Sequence, residues 1–127
     1  MSEKRRKERR IAVVDDDPGF RKSIGILLEN FGFSAALFAS AEEFLSESRR
    51  SELVPGCLIL DIHLEGMSGI ELGRYLANTE HPPSVIFITG NDNEASRRAA
   101  SLQDCTAYLT KPFTAKALVD AIDRALA

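Results

Sequence analysis

The feature that most constrains this chain is an alternation. Short apolar runs are separated by longer stretches whose apolar residues fall at helical spacing, and the cycle repeats five times. Ile11–Val14 ends at Asp15, Cys57–Leu60 at Asp61 and Val85–Ile88 at Thr89, while Thr106–Leu109 leads to Lys111. Ala35–Phe38 is the remaining run. After the first run, Phe20, Ile24, Leu27, Leu28 and Phe31 share one helical face. Asp17 is placed to cap that helix, Pro18 to occupy its first position and Gly32 to end it. Ser40-Ala41-Glu42-Glu43 and Ser68-Gly69-Ile70-Glu71 both have capping-box spacing. The first opens a helix with Phe44 and Leu45 inward, and the second opens one carrying Leu72, Leu76 and Ala77. A fourth helix, opening between Asn91 and Glu94, is poor in large apolar residues and offers Ala95, Ala99 and Leu102. Thr114 caps a last helix with Leu118, Ile122 and Leu126.

Strands alternating with helices predict an α/β domain built on a parallel sheet. Runs one, three and four are apolar throughout, as strands covered on both faces must be. Runs two and five bring Ser34, Thr106 and Tyr108, which suits sheet edges. The expected fold is a flavodoxin-like (βα)5 doubly wound parallel sheet with strand order 2-1-3-4-5 and right-handed crossovers. At 127 residues the chain is one domain, large enough to bury roughly two-thirds of its unfolded surface without a metal or disulfide. No apolar run is long enough for a transmembrane helix, and no secretory apolar region follows the N-terminal charges. Cys57 and Cys105 lie far apart with no metal-ligand spacing, which predicts a reducing, cytoplasmic setting.

The formal charge of −3 is unevenly spread. Residues 1–10 hold six of the 16 basic residues and two of the 19 acidic ones, leaving residues 11–127 at −7. The basic segment 1–10 reads as a solvated, flexible tail, and residues 11–127 as the domain. An acidic body argues against direct nucleic-acid binding by the domain itself.

The residues just past the strand ends are the ones a doubly wound sheet collects at a single edge. They are Asp15, Asp16 and Asp17, then Asp61, Thr89 and Lys111. Crowded carboxylates repel by about 4 kcal/mol per pair at 4 Å and an effective dielectric of 20. Lys111 supplies one compensating charge. A divalent cation supplies the rest, and an all-oxygen site suits Mg2+. Asp17 fits a helix cap better than a ligand. A first loop of three aspartates also excludes a phosphate- or flavin-binding loop, and no glycine-rich phosphate motif is present.

Four segments, VVDDD (13–17), LILDIHLEGMSGIEL (58–72), VIFITG (85–90) and AYLTKPF (107–113), stand in order, one at each of four strand ends. Together they make residues 10–127 resemble the receiver domain of bacterial two-component response regulators, closest in wording to the FixJ/NarL kind. The resemblance implies a phosphoacceptor domain of a two-component signalling system. Asp61 would accept a phosphoryl group from a phosphohistidine of a sensor histidine kinase or a histidine phosphotransfer protein. Asp16, Asp61 and the backbone carbonyl of His63 would ligate Mg2+, with Asp15 acting through water. Lys111 and Thr89 would hold phosphoryl oxygens. Thr89 and Tyr108 would form the switch, altering the face of the fourth helix, fifth strand and fifth helix. The domain would catalyse only its own phosphorylation and dephosphorylation. It would work in the cytoplasm, away from the membrane, and phosphorylation-dependent homodimers are compatible with the family. FixJ/NarL receivers usually continue into a helix-turn-helix domain. The resemblance also implies a cis peptide at Lys111-Pro112.

Two departures stand out. Relatives often have Met-Pro where this chain has Leu64-Glu65, which removes a stiffening residue from the loop after Asp61. His63 and Asn91 fall at positions that, in the family, tune the lifetime of the phosphate. As side chains, His63 and His81 read as solvated loop residues, and both cysteines as small apolar groups. Two other functions compete. A haloacid-dehalogenase-type phosphatase needs a second acid two residues after its nucleophile, where this chain has His63. A pseudo-receiver would have lost the acceptor or an acidic partner, and none is lost.

Overall fold

A computed structural model of the chain describes residues 10–51 and 55–127. Residues 1–9, most of the expected basic tail, lie outside the described residues. Arg10, expected in that tail, is instead the exposed first residue of a strand. The chain order is β1 (Arg10–Val14), α1 (Pro18–Asn30), β2 (Ser34–Phe38), α2 (Ala41–Ser51), β3 (Cys57–Asp61), α3 (Gly69–Ala77), β4 (Ser84–Thr89), α4 (Glu94–Ser101), β5 (Ala107–Thr110) and α5 (Ala115–Leu126). The strands form one parallel sheet in the expected order β2-β1-β3-β4-β5.

Two cores explain why the central strands are apolar throughout. Alternate side chains of each strand point to opposite faces. Ala12, Val14, Leu58, Leu60, Val85 and Phe87 pack on one side with Phe44 of α2, Leu72 and Leu76 of α3 and Ala100 of α4. Ile11, Val13, Cys57, Ile59, Ile86 and Ile88 pack on the other with Ile24 and Leu28 of α1 and Leu118, Ala121 and Ile122 of α5. Each fully buried Leu, Ile or Phe contributes roughly 1.5–3 kcal/mol. The strand ends are thereby fixed in space, and so is whatever follows them.

Local signals set the helix boundaries. The Asp17 side chain accepts N–H bonds from Gly19 at 3.0 Å and Phe20 at 3.4 Å, and Gly32 leaves α1 at φ 84°. Ser68 and Glu71 form the full reciprocal capping box of α3. At α2 only half the box forms: Ser40 Oγ accepts the Glu43 N–H, but Glu43 takes the N–H of Ala39. Asn93 caps α4 by accepting the Ser96 N–H at 2.8 Å.

Three expectations about helix faces need correction. Phe31 at the end of α1 and Ala77 at the end of α3 are exposed, and buried Gly73 lies against Phe87 instead. In α4 the buried residues are Ser96 and Ala100; Ala95 is exposed and Leu102 is 80 % exposed. With no large apolar residue to anchor it, the α4 sequence does not reveal which side faces the sheet.

Candidate functional site

The register of the sheet assembles the site. Val14 pairs with Leu60 across β1 and β3, so Asp15 follows at the level where Asp61 ends β3. Asp61 pairs with Ile88, one residue before Thr89, and Thr89 pairs with Thr110, one residue before Lys111. The Lys111 N–H donates to the Thr89 carbonyl at 2.8 Å. Its peptide to Pro112 is cis, as the sequence led us to expect. Four strand ends therefore deliver Asp15, Asp61, Thr89 and Lys111 to one place.

Carboxylate oxygens of Asp15, Asp16 and Asp61 lie within 4.8 Å of one another. Asp15 and Asp61 are buried and Asp16 is exposed. Lys111 reaches over them from β5: its Nζ is 2.7 Å from Asp15 Oδ2 and 3.5 Å from Asp61 Oδ2. Its shorter contact is thus to Asp15 rather than to Asp61. It also lies 4.1 Å from the centre of the Phe20 ring, a favourable cation–π placement. Asp15 Oδ1 accepts the Asp17 N–H at 2.9 Å, and Asp61 Oδ1 accepts the His63 N–H at 3.1 Å. Burial pushes the Asp61 carboxyl above its ordinary range; Lys111 and the His63 N–H pull it down, and Asp15 and Asp16 push it up. Burial lowers the Lys111 ammonium, but its bonds to Asp15 and Asp61 outweigh this and leave it raised.

The donor set fits a hard divalent cation. Every group is an oxygen, two of the three carboxylates are buried, and one ammonium cannot neutralise three carboxylates. A +2 ion closes that charge balance.

Thr89 is completely buried and its Oγ1 accepts the Asn91 N–H at 3.0 Å. Tyr108 is half-buried, beside the site rather than in it. Its hydroxyl donates to Asp92 Oδ1 at 2.9 Å, and the Arg97 guanidinium lies 5.1 Å from its ring centre. Arg97 also grips Asp92 in a fork, through Nε and Nη2. Nothing in the apolar pattern pointed to Asp92 or Arg97, because both are exposed polar residues whose meeting depends on the β4–α4 turn. His63 is less free than expected. Its Nε2 lies 3.3 Å from the Asn91 carbonyl and 3.4 Å from Ser96 Oγ, so the ring links the loops after β3 and β4.

The chain is thus a doubly wound α/β domain that gathers three carboxylates and a lysine at its switch point. Residues 11–123 match the family model described as response regulator receiver domain, and the chain belongs to that family. Among curated relatives it is 34% identical over 116 residues to the response regulator protein TodT of Pseudomonas putida, covering 91% of this chain and 50% of the relative. It is 31% identical to the transcriptional regulatory protein FixJ of Bradyrhizobium diazoefficiens, covering 91% and 56%. The chain thus spans about half the length of these relatives. Among solved structures, the crystal structure of FixJ-N superposes with a TM-score of 0.83 at 31% identity, covering 92% of each chain. A receiver protein from Burkholderia phymatum gives 0.82 at 35% identity, covering 92% and 94%. The domain is accordingly a signalling module of the two-component type. No helix among the described residues is long and apolar enough to cross a membrane.

Proposed function

We propose that Asp61 takes a phosphoryl group from a phosphohistidine on a sensor histidine kinase or histidine phosphotransfer protein, in a Mg2+-dependent reaction that alters the α4–β5–α5 face. The observation that carries this reading is the meeting of three carboxylates within 4.8 Å under one lysine. An Asp61 oxygen attacks phosphorus, forming an O–P bond as the P–N bond to the donor imidazole breaks. The electron pair stays on the imidazole nitrogen, which takes up a proton.

Asp16, Asp61 and the His63 backbone carbonyl are the groups that would hold Mg2+, with Asp15 acting through water. When bound, the ion supplies charge neutralisation to the carboxylates and to the incoming phosphoryl oxygens. Lys111 would shift its bonding from Asp61 toward a phosphoryl oxygen, while its 2.7 Å bond to Asp15 keeps it in place. Thr89 would bond a second phosphoryl oxygen, and Tyr108 would turn inward as Thr89 moves. That turn requires Tyr108 to leave Asp92, so the Asp92–Arg97 pair biases the resting state. The reaction ends on the domain's own side chain, so the domain modifies and unmodifies only itself.

Intact mass after incubation with acetyl phosphate tests the reading. One added phosphoryl group is expected with Mg2+, and none without Mg2+ or in Asp61→Asn. No adduct in the unaltered protein, under conditions where beryllofluoride also fails to bind, would leave an interaction module that never takes phosphate.

A further inference from the structure

We propose that Glu42, on α2 and outside the acidic site, is a positioning residue for the Asp61 reaction. Its carboxylate pins the Gly66–Met67 turn of the loop that follows the acceptor. This rests on the reading of Asp61 as phosphoacceptor. The loop from Ile62 to Ser68 joins β3 to the cap of α3 and carries the His63 carbonyl. Hydrogen bonds hold its ends: the His63 N–H donates to the Asp61 side chain at Oδ1, 3.1 Å away, and the Gly69 N–H to the Ile62 carbonyl at 3.0 Å.

Leu64 anchors the loop's middle in the core, and the turn that follows it is the softer part. Leu64-Glu65-Gly66 contains no proline, and Gly66 sits at φ 73°, where glycine is the permissive residue. Glu42 supplies a restraint from outside. Its Oε2 accepts the Met67 N–H at 2.8 Å across 25 residues of sequence. The approach is close enough that a Cβ on Gly66 would lie 2.6 Å from the same oxygen. The Met67 N–H in turn holds the Glu42 carboxyl below its ordinary range. Glu42 stands two residues before Phe44 on the same helix, and Phe44 is buried in the core beside the sheet, so the restraint is anchored to a rigid element. A bond from a rigid helix to a soft loop fixes groups that would otherwise drift by fractions of an ångström, and ligand geometry is sensitive to that. Glu43 provides an internal control. It shares the first turn of α2, yet its carboxylate accepts from Ala39 at 3.4 Å and no bond joins it to the loop.

The test compares the unaltered protein with Glu42→Ala, Glu42→Gln and Glu43→Ala. Amide hydrogen exchange is read at Met67, and Mg2+ affinity is read by calorimetry. Glu42→Ala should speed Met67 exchange and weaken Mg2+ binding about three- to tenfold, the ratio that one ordinary net hydrogen bond sets. Glu42→Gln should restore both, because its amide oxygen accepts the same N–H. Glu43→Ala should change neither. Unchanged exchange and affinity in Glu42→Ala would overturn the proposal. So would equal losses in Glu43→Ala, which would assign the effect to helix charge, or a Glu42→Gln variant as weak as Glu42→Ala. If the unaltered protein takes no phosphoryl group, the reading of Asp61 fails and the positioning role falls with it. The Met67 and Mg2+ readings then still decide whether the tether exists.

Discussion

Lys111 Nζ lies 2.7 Å from Asp15 Oδ2 and 3.5 Å from Asp61 Oδ2. The Lys111 ammonium is bonded first to the fully buried Asp15 and only shared with Asp61. Asp61 is therefore under-compensated, and its raised carboxyl pKa is the consequence: burial first, with Asp15 and Asp16 adding to it.

That shift makes Asp61 a cost to folding at neutral pH. A carboxyl whose folded-state pKa lies above its unfolded value of 3.8 holds its proton more tightly when folded. Stability then falls as pH rises through the window from 3.8 up to the raised value, and the full penalty applies above it. Asp61→Asn should stabilise the domain by about 1 kcal/mol at neutral pH, the net of like-charge relief and lost attraction to Lys111. Urea unfolding at neutral pH should show the gain. At about pH 3, where the carboxyl is protonated in both states, the gain should vanish.

A divalent cation should remove the same penalty in the unaltered protein. At Mg2+ one hundred times its Kd, mass action adds about 2.7 kcal/mol of stability. The melting midpoint should rise by several degrees and fall back on chelation. Asp16 is exposed, so Asp16→Asn should fold normally and lose most of this rise. A calorimetric scan with and without Mg2+ is the measurement.

Tyr108 is held outward by Asp92, which Arg97 orients. Burial, then the bond to Asp92, raises the Tyr108 phenol above its ordinary range. Asp92→Ala should lower that titration part of the way, leaving the burial contribution, as followed by ultraviolet titration with Tyr108→Phe to separate Tyr75. If Tyr108 is the switch, the same variant should accept phosphate from acetyl phosphate about two- to fivefold faster, as expected when a weak surface restraint on the resting state is removed.

Gly69 and Gly25 make opposite predictions from the same substitution. A Cβ at Gly69 would lie 2.0 Å from the Asp61 carbonyl oxygen, which is backbone and cannot yield. Gly69→Ala should cost about 3 kcal/mol and weaken Mg2+ binding, because α3 must shift away from β3. A Cβ at Gly25 would meet the Leu37 side chain at 2.9 Å, and Leu37 is partly exposed and can rotate. Gly25→Ala should cost little, since the helix gains what glycine lacked. Denaturant midpoints of the two variants decide this.

The strand ends were legible because a residue just past a fully buried run has nowhere to go but the sheet edge. That logic located Asp15, Asp61, Thr89 and Lys111 without any side-chain information. It does not say which carboxylate a four-carbon side chain reaches first, so the Lys111–Asp15 bond was hidden. The buried face of α4 was hidden for another reason: Ser96 is polar and Ala100 is small, so neither marks a stripe. His63 read as a solvated loop residue, because its neighbours Asn91 and Ser96 come from a loop and a helix far along the chain. Glu42 was visible only as part of a capping box, and its bond to Met67 depends on how α2 lies against the loop after β3.

Thr89 Oγ1 receives the Asn91 N–H, and that detail sets what the hydroxyl can still offer. A hydroxyl has two lone pairs and one proton. Asn91 occupies a lone pair and leaves the proton uncommitted by that bond. An anionic oxygen arriving at the pocket would therefore gain a donor without the threonine surrendering its existing bond. The buried hydroxyl can turn about its own C–O axis and offer that proton to the newcomer from the start of any movement of Thr89.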